Sequence, residues 1–336
     1  MPRRQHIQLI DIADRANLAE AVYLAAKGRR ERSTVKNFMA DLDQNLNELS
    51  NAILGGHYRP EPLRQFVIHD PKRRVIHAPD FRDRVVHHAI ILQAGSQIDR
   101  TLIDDSFACR VGKGSVAAVL RTQHFSRRFP WYAKLDIAKY FHSIDHVRLL
   151  EKLNRRFVGQ PFLDLLTRIV HSFQVGPGKG LPIGALTSQY FANLYLNDAD
   201  RFCVAFKNVG GFVRYMDDMI LWSPTKTGAK DALARLCEFL WEQLELRLSG
   251  EPQINQSSHG ISFCGHRVFP GIIRLTKRRQ GQYLRTCRRW ERRYIQGRVT
   301  AAQLQNGYAS AYSISKLADT LQWRRRRLGQ HLVDEA

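Results

Sequence analysis

Apolar positions repeat at helical spacing through the first sixty residues. Leu18, Ala21, Val22 and Ala25 fall on one face, and Phe38, Leu42, Leu46 and Leu49 on the face of a second helix. Gly55-Gly56 closes that second helix by supplying permissive backbone. From Pro60 the spacing changes. Phe66-Val67-Ile68 and Val75-Ile76 are short apolar runs flanking Asp70-Pro71-Lys72, a turn sequence, so a hairpin is expected. A helix is expected over 81–97, a loop at Gly112 and Gly114, and another helix from Ser115. The run 131–137 predicts a strand, and Asp145 is placed to cap the helical run 146–153. A glycine-rich loop at 176–180 leads into a helix over about 187–200. Phe212–Tyr215 and Met219–Trp222 are apolar strands around Asp217-Asp218, which reads as a tight hairpin. A helix over 229–246 follows, then short strands at 261–263 and 266–269, and a helical remainder from about Leu275. Strands alternating with helices, with no repeat or low-complexity tract, indicate an α/β or α+β core.

Composition adds little to that picture and charge adds much. The 336 residues are 44% hydrophobic and 10% aromatic, enough to fill a large core, which excludes disorder for the bulk. Lys and Arg number 52 against 31 Asp and Glu, a formal net charge of +21. Such an excess points to a polyanion, nucleic acid before an anionic membrane. No run approaches the ~20 apolar residues of a membrane-spanning helix. The basic N-terminus lacks the continuous apolar stretch of a secretory signal, so a cytoplasmic setting without a membrane partner is expected. Cys109, Cys203, Cys237, Cys264 and Cys287 are odd in number and widely spaced, which argues against a zinc site or a disulfide framework. The positive charge is uneven: residues 275–336 hold 14 Lys and Arg against 4 Asp and Glu. Arg285, Arg288, Arg289, Arg292 and Arg293 form one stripe on a helix, with Leu284, Cys287, Trp290 and Tyr294 opposite to pack on a core. That arrangement suits a helix tracking a duplex backbone. Arg324–Arg327 is a second basic cluster, open to RNA or to an acidic partner.

Two carboxylate positions carry candidate chemistry. Asp136 ends the apolar strand in Lys134-Leu135-Asp136-Ile137, and Asp217-Asp218 follows Tyr215-Met216 at the hairpin. Adjacent acids between apolar strands repel unless something offsets their charge. Three carboxylates suit a hard cation such as Mg²⁺, and two ions about 3.5–4 Å apart can clamp an in-line phosphoryl transfer. An isolated Asp-Asp, by contrast, is most often only a turn.

The order of the motifs is more specific than any one of them. Tyr215-Met216-Asp217-Asp218 resembles the Tyr-x-Asp-Asp box of the reverse transcriptases, and Leu135–Asp145 resembles the strand motif that supplies their first metal-binding aspartate. Gly180–Gln189 is similar to the loop-and-helix motif between them, Phe107–Ser115 to the upstream fingers motif, and Gly260–Gly265 to the primer-grip hairpin. The matches follow the family's order over residues 60–270. The resemblance implies an α+β right-hand polymerase with fingers, a palm of antiparallel sheet backed by helices, and a helical thumb. Its expected divisions are an N-terminal helical segment 1–58, fingers 59–130, palm 131–270 with fingers residues interleaved near 150–190, and a basic thumb 271–336. The implied activity is RNA-directed DNA synthesis from dNTPs on a template RNA and primer, yielding an RNA–cDNA duplex. Two Mg²⁺ ions are implied, with Mn²⁺ as a substitute.

Residue roles follow from the same likeness. Asp136, Asp217 and Asp218 are the expected catalytic acids, holding metal with the Ile137 carbonyl. Phe141 stands at the steric-gate position against a ribose 2′-hydroxyl, although on residue type alone it reads as core. Lys72 and Arg74 on the fingers hairpin, with Ile183, Gly184 and Gln189, are expected at the nucleotide. A solvated basic turn is an equal reading for Lys72. Arg110, Tyr215, Met216, Gly265 and the arginine stripe are expected at template or primer, with a surface ion pair an equal reading for Arg110. Segment 248–254 has no lysine where many polymerases carry one to protonate pyrophosphate, so either a different acid or water serves, and slow turnover would fit. Two departures narrow the likeness. Ile183 replaces the usual Gln, and Ser188-Gln189 replaces Ser-Pro, as in reverse transcriptases of diversity-generating retroelements. That subfamily implies copying that is error-prone at template adenines, for mutagenic retrohoming, with a small basic pentameric accessory protein. Two other readings stay open: a retron or antiviral reverse transcriptase, and a non-catalytic RNA-binding scaffold.

Overall fold

The computed structural model describes residues 4–69 and 73–328, so Lys72 and the turn it is expected to occupy lie outside the described residues. In chain order the first elements are β1 (Gln5–His6), α1 (Leu9–Ala13), α2 (Arg15–Ala26), α3 (Ser33–Ala40), α4 (Leu42–Leu54), β2 (Arg64–His69), β3 (Arg73–Ala78) and α5 (Phe81–Asp99). Next come α6 (Ser115–Arg128), β4 (Trp131–Asp136), α7 (Tyr140–Ser143), α8 (His146–Arg156), β5 (Phe157–Val158), α9 (Gln160–His171) and α10 (Leu186–Val204). The rest are β6 (Gly211–Tyr215), β7 (Asp218–Ser223), α11 (Lys226–Leu244), β8 (Gln253–Gln256), β9 (Ile261–Phe263), β10 (His266–Val268), β11 (Ile273–Leu275), α12 (Lys277–Ile295), α13 (Ala301–Ser315) and α14 (Leu321–Leu328). These elements form two compact units. The first takes residues up to 104, then 136–203 and 234–251; the second takes 105–135, 204–233 and 252 onward.

The first unit is mostly helical. Helix α2 buries Leu18, Ala21, Val22 and Ala25, the face its spacing predicts. The Asn17 amide within that face is satisfied by donating to the carbonyls of Ile12 (2.9 Å) and Ala89 (3.3 Å). The single helix expected through Phe38–Leu49 is two. Asp41, at φ −114° and ψ 44°, leaves helical backbone and separates α3 from α4. Strands β2 and β3 pair antiparallel from Arg64↔Ala78 to His69↔Arg73, the expected hairpin, and are longer than their apolar cores. Asp145 caps α8 as expected, accepting from the Arg148 N–H at 2.9 Å. Helix α10 is buried on nearly every side, which erases any amphipathic signal. The parallel pair β1–β5 has no counterpart in the sequence pattern, since two residues each are too short to leave a periodic trace.

The second unit is built on a four-stranded sheet of order β6-β7-β4-β8, with β6–β7 and β4–β8 antiparallel. A three-stranded antiparallel sheet, β11-β10-β9, lies in the same unit. Its core joins Ala118, Val119 and Phe125 of α6 to Tyr132, Val213, Ile220 and Trp222 of the larger sheet and to Ile261 and Phe263 of β9. Strand β8 escapes the pattern because Gln253-Ile254-Asn255-Gln256 is polar and half exposed. Strand β11, only three residues long, ends where helix is expected to begin. Helices α12 and α13 pack through Tyr283, Cys287 and Ala311. Among the described residues no helix is long and apolar enough to cross a membrane.

Candidate active site

The paired acids sit on the β6–β7 hairpin of the second unit. Tyr215 pairs with Asp218, so the two-residue apex is Met216-Asp217 and Asp218 is the first residue of β7. This corrects the expected apex by one position. Met216 takes φ 58°, as the first loop position of a primed hairpin turn requires. The apex is braced from inside: Arg214 is 0% exposed, and its Nη1 donates to the Met216 carbonyl at 3.1 Å. Its backbone also pairs with the fingers-motif loop, through Arg214 N–H to the Asp105 carbonyl and Phe107 N–H to the Arg214 carbonyl, both 2.9 Å. In that loop Arg110 donates to the Ser106 carbonyl at 2.8 Å. It therefore braces its own loop and is half-buried there.

Lys134 of β4 reaches the same hairpin. Its ammonium lies 3.0 Å from Asp218 Oδ2 and donates to the Ser262 carbonyl of β9 at 2.7 Å. The β9–β10 turn is Cys264-Gly265, at φ 45° and 79°, a primed turn that explains the glycine. Burial, with the Asp218 charge adding to it, pushes the Cys264 thiol up to about 12. Cys264 is therefore a neutral thiol near pH 7. Tyr215 stands edge-on to Phe263, with ring centroids 6.5 Å apart.

In the first unit the strand that carries Asp136 continues into a clasp. Ile137 bridges Leu248 antiparallel, flanked by Ala138 N–H to the Arg247 carbonyl and Ser249 N–H to the Asp136 carbonyl, both 2.8 Å. Those flanking bonds use neither the N–H nor the carbonyl of Ile137. The Asp136 side chain is exposed. Three expected nucleotide residues are drawn together in this unit. Phe141, half-buried, accepts at its carbonyl from the Leu181 N–H at 2.7 Å. Ile183 accepts from the His77 N–H of β3 at 2.9 Å, and Gly184 lies against Ile76 and His77. A cavity of about 330 Å³ opens beside them, lined by Gly184, Gln189, Arg29, Arg84 and His88 among others. Burial, with the charges of Arg29 and Arg32 adding to it, pushes the Arg84 guanidinium down to about 10. Arg74 is exposed on β3.

Helix α12 keeps Arg285, Arg288, Arg289, Arg292 and Arg293 exposed, as its spacing predicts. The buried seam differs: Tyr283 and Cys287 carry it, Leu284 packs at its edge, and Tyr294 is 39% exposed. Among the described residues no group of three or more His, Cys, Asp or Glu is disposed to hold a metal ion. In the second unit Asp217 and Asp218 offer hard oxygens, and in the first unit so do Asp136 and the Ile137 carbonyl that the flanking bonds leave unused. Lys134 and Arg214 hold the hairpin in the second unit, and segment 247–249 clasps the strand that carries Asp136 in the first, roles that no sequence reading gave them. For the first two a signal exists, since each is a lone cation inside an otherwise apolar strand, a costly placement unless paired.

Comparison with known proteins bears on the family of the chain. A family model described as reverse transcriptase (RNA-dependent DNA polymerase) matches residues 69–265. Protein YkfC of Escherichia coli K12 is 24% identical over 276 residues, covering 68% of this chain and 72% of that protein. The group II intron-encoded protein LtrA of Lactococcus lactis is 22% identical over 174 residues, covering 49% of this chain but only 29% of LtrA. The structure of telomerase from Candida albicans, in complex with a fragment of telomeric RNA, aligns with a TM-score of 0.47 at 12% identity. It covers 69% of this chain and 49% of that one.

Proposed function

The chain belongs to the reverse transcriptase family, and we propose accordingly that it copies an RNA template into DNA by extending a primer 3′-hydroxyl with dNTPs. The observation that carries the proposal is the β6–β7 hairpin. Its two-residue apex and first β7 position present adjacent carboxylates, held by a buried arginine and a lysine. Enzymes of this family use divalent cations, typically Mg²⁺. Asp136, Asp217 and Asp218, with the Ile137 carbonyl, would hold that ion, which when bound neutralises phosphate charge during in-line transfer. Gly184 and Ile183 would shape the nascent pair, Phe141 would exclude a 2′-hydroxyl, and Arg74 and Lys72 would meet the triphosphate. Gln189 would border the same pocket. Arg110, Tyr215, Met216, Gly265 and the α12 arginines would contact template or primer, the arginines by neutralising phosphates.

Primer extension on an RNA template tests this. The wild type is expected to extend the primer and the Asp217→Ala variant to yield no product; undiminished synthesis by the variant refutes the assignment. Within the family, Ile183 and Ser188-Gln189 favour an error-prone enzyme of a diversity-generating retroelement. An aliphatic side chain cannot make the polar positioning contact of a glutamine, so discrimination at the nascent pair is relaxed. Ile183→Gln should then lower misincorporation opposite template adenine. Equal error rates sink this finer reading. Sequencing RNA that co-purifies with the protein would identify its template, and a basic pentameric partner in the same preparation would support the retroelement role.

A further inference from the structure

We propose that Glu245 is a positioning residue for the incoming nucleotide: its carboxylate brackets Arg148 of α8 and Lys179 of the loop 176–180, and so fixes the chain that leads to Ile183 and Gly184. The inference rests on the polymerase reading above and extends it to a residue that no motif includes. Helix α11 ends at Leu244, and Glu245 turns to φ 52° while the Leu246 N–H returns to the Leu240 carbonyl at 2.9 Å. A helix end of this kind ordinarily takes glycine, because a side chain is strained at positive φ. A glutamate there needs a reason beyond the turn. Its oxygens supply one: Oε1 accepts from Arg148 Nη1 and Oε2 from Lys179 Nζ, both at 2.7 Å. The bonds from Lys179 and Arg148 hold the carboxyl below the usual carboxylate range, so it is ionised near pH 7. Stability does not account for the arrangement. The side chains of Glu245, Arg148 and Lys179 are 41%, 30% and 40% exposed, and ion pairs so exposed contribute little. What the bracket joins does account for it. Beside Lys179, the Gly178 carbonyl accepts from the His146 N–H at 2.9 Å and the Gly180 N–H donates to the Ile144 carbonyl at 2.8 Å. The Leu181 N–H then donates to the Phe141 carbonyl, and Ile183 accepts from the His77 N–H of β3. On the other side of Glu245, Arg247 and Ser249 clasp the strand that carries Asp136. One carboxylate of the first unit therefore ties the approach to the nucleotide loop to the approach to the Asp136 clasp.

The test uses the full chain with Glu245→Gly, Lys179→Met, their combination and Lys179→Arg. Glycine relieves the strain at φ 52° and removes the bracket, so the two effects separate. In urea denaturation Glu245→Gly should unfold at a midpoint no lower than that of the wild type; a midpoint well below it would mark a merely structural role and overturn the proposal. In single-nucleotide extension the KM of Glu245→Gly for the dNTP should rise about fivefold while kcat stays within about twofold, the pattern of lost ground-state binding. Lys179→Met should raise KM to a similar extent, and the double variant should be no worse than the worse single variant, because both remove the same contact. Lys179→Arg keeps a charged donor and should stay within about twofold of the wild type. Hydrogen exchange followed by mass spectrometry reads the bracket without reference to activity: amides of 175–181 should exchange about fivefold faster or more in Glu245→Gly. An unchanged KM, multiplying KM effects in the double variant, or unchanged exchange of the loop overturns the proposal. A wild type that makes no DNA would sink the polymerase reading, while loop exchange in Glu245→Gly would still establish or refute the bracket.

Discussion

At Gly184 the backbone takes φ +132°, a region L residues rarely enter, and a Cβ there would stand 3.0 Å from Ile76 Cγ2 and 3.1 Å from the His77 carbonyl oxygen. The loop can lie on β3 only because this side chain is absent. Gly184→Ala should cost about 1–3 kcal/mol in urea denaturation, and KM for the dNTP should rise as the loop lifts from β3. A second residue-scale outcome concerns Asp83, which is 1% exposed. It accepts from the Tyr58 hydroxyl at 2.7 Å and from the Glu61 N–H at 2.7 Å. Tyr58→Phe removes one of those donors from a buried carboxyl and should lower stability by about 1–3 kcal/mol. At the gate position, Phe141→Ala should raise the kcat/KM for a ribonucleotide relative to its deoxy counterpart. An unchanged ratio would return Phe141 to the core reading. The motif residues are legible at this scale because residue type and spacing are their signal. Lys134 and Arg214 are not, because each is explained by a partner more than forty residues away, or by a carbonyl at a turn whose register no sequence pattern prints.

Helices α5 and α10 meet through a buried side-chain bond, with His87 Nδ1 2.8 Å from Thr187 Oγ1. Burial, with the nearby His88 and Arg84 charges adding to it, pushes the His87 imidazole down to about 3 from its ordinary 6.5. The unfolded chain therefore takes up this proton first. Stability from His87 is fully present above pH 6.5 and is lost as pH falls from 6.5 towards 3. His88, pushed down to about 4, acts in the same direction. The unfolding free energy should fall over that window, and His87→Leu should flatten the slope while lowering stability at pH 7. In the C-terminal helices a glycine decides the packing. Gly307 lies inside α13, where glycine ordinarily costs about 1 kcal/mol against alanine. A Cβ there would fall 2.3 Å from Trp290 Cγ of α12. Gly307→Ala should therefore destabilise the chain by about 1–3 kcal/mol in place of the usual gain, as calorimetry would record. The pattern shows α12 amphipathic but cannot show which faces meet. Hence Cys287 lies in the seam as expected, while Tyr283 joins it and Tyr294 is left exposed.

The net charge of +21 is the property of the whole chain most directly open to measurement. Exposed arginines on α12 should contribute to binding by releasing counterions from a duplex. Replacing Arg288 and Arg292 with Gln should make the slope of log K against log salt shallower by about 2 on an RNA–DNA duplex. Anisotropy titrations over a range of KCl concentrations would check it. Fold class and motif order are readable at this scale, since they follow from alternating periodicity and from residues adjacent in sequence. The two-unit partition is not, because it depends on which distant segments return to which neighbours. That partition bears on how the protein is made. Each unit takes three separate stretches of chain, and the first is completed only by residues 234–251. A ribosome must therefore pass residue 251 before the N-terminal helices have all their neighbours. Through most of synthesis the nascent chain carries unfinished apolar surfaces of both units at once. No single cut can release either unit whole, so the chain is one folding job for a chaperone, and a fragment ending at residue 104 is expected to be recovered as aggregate.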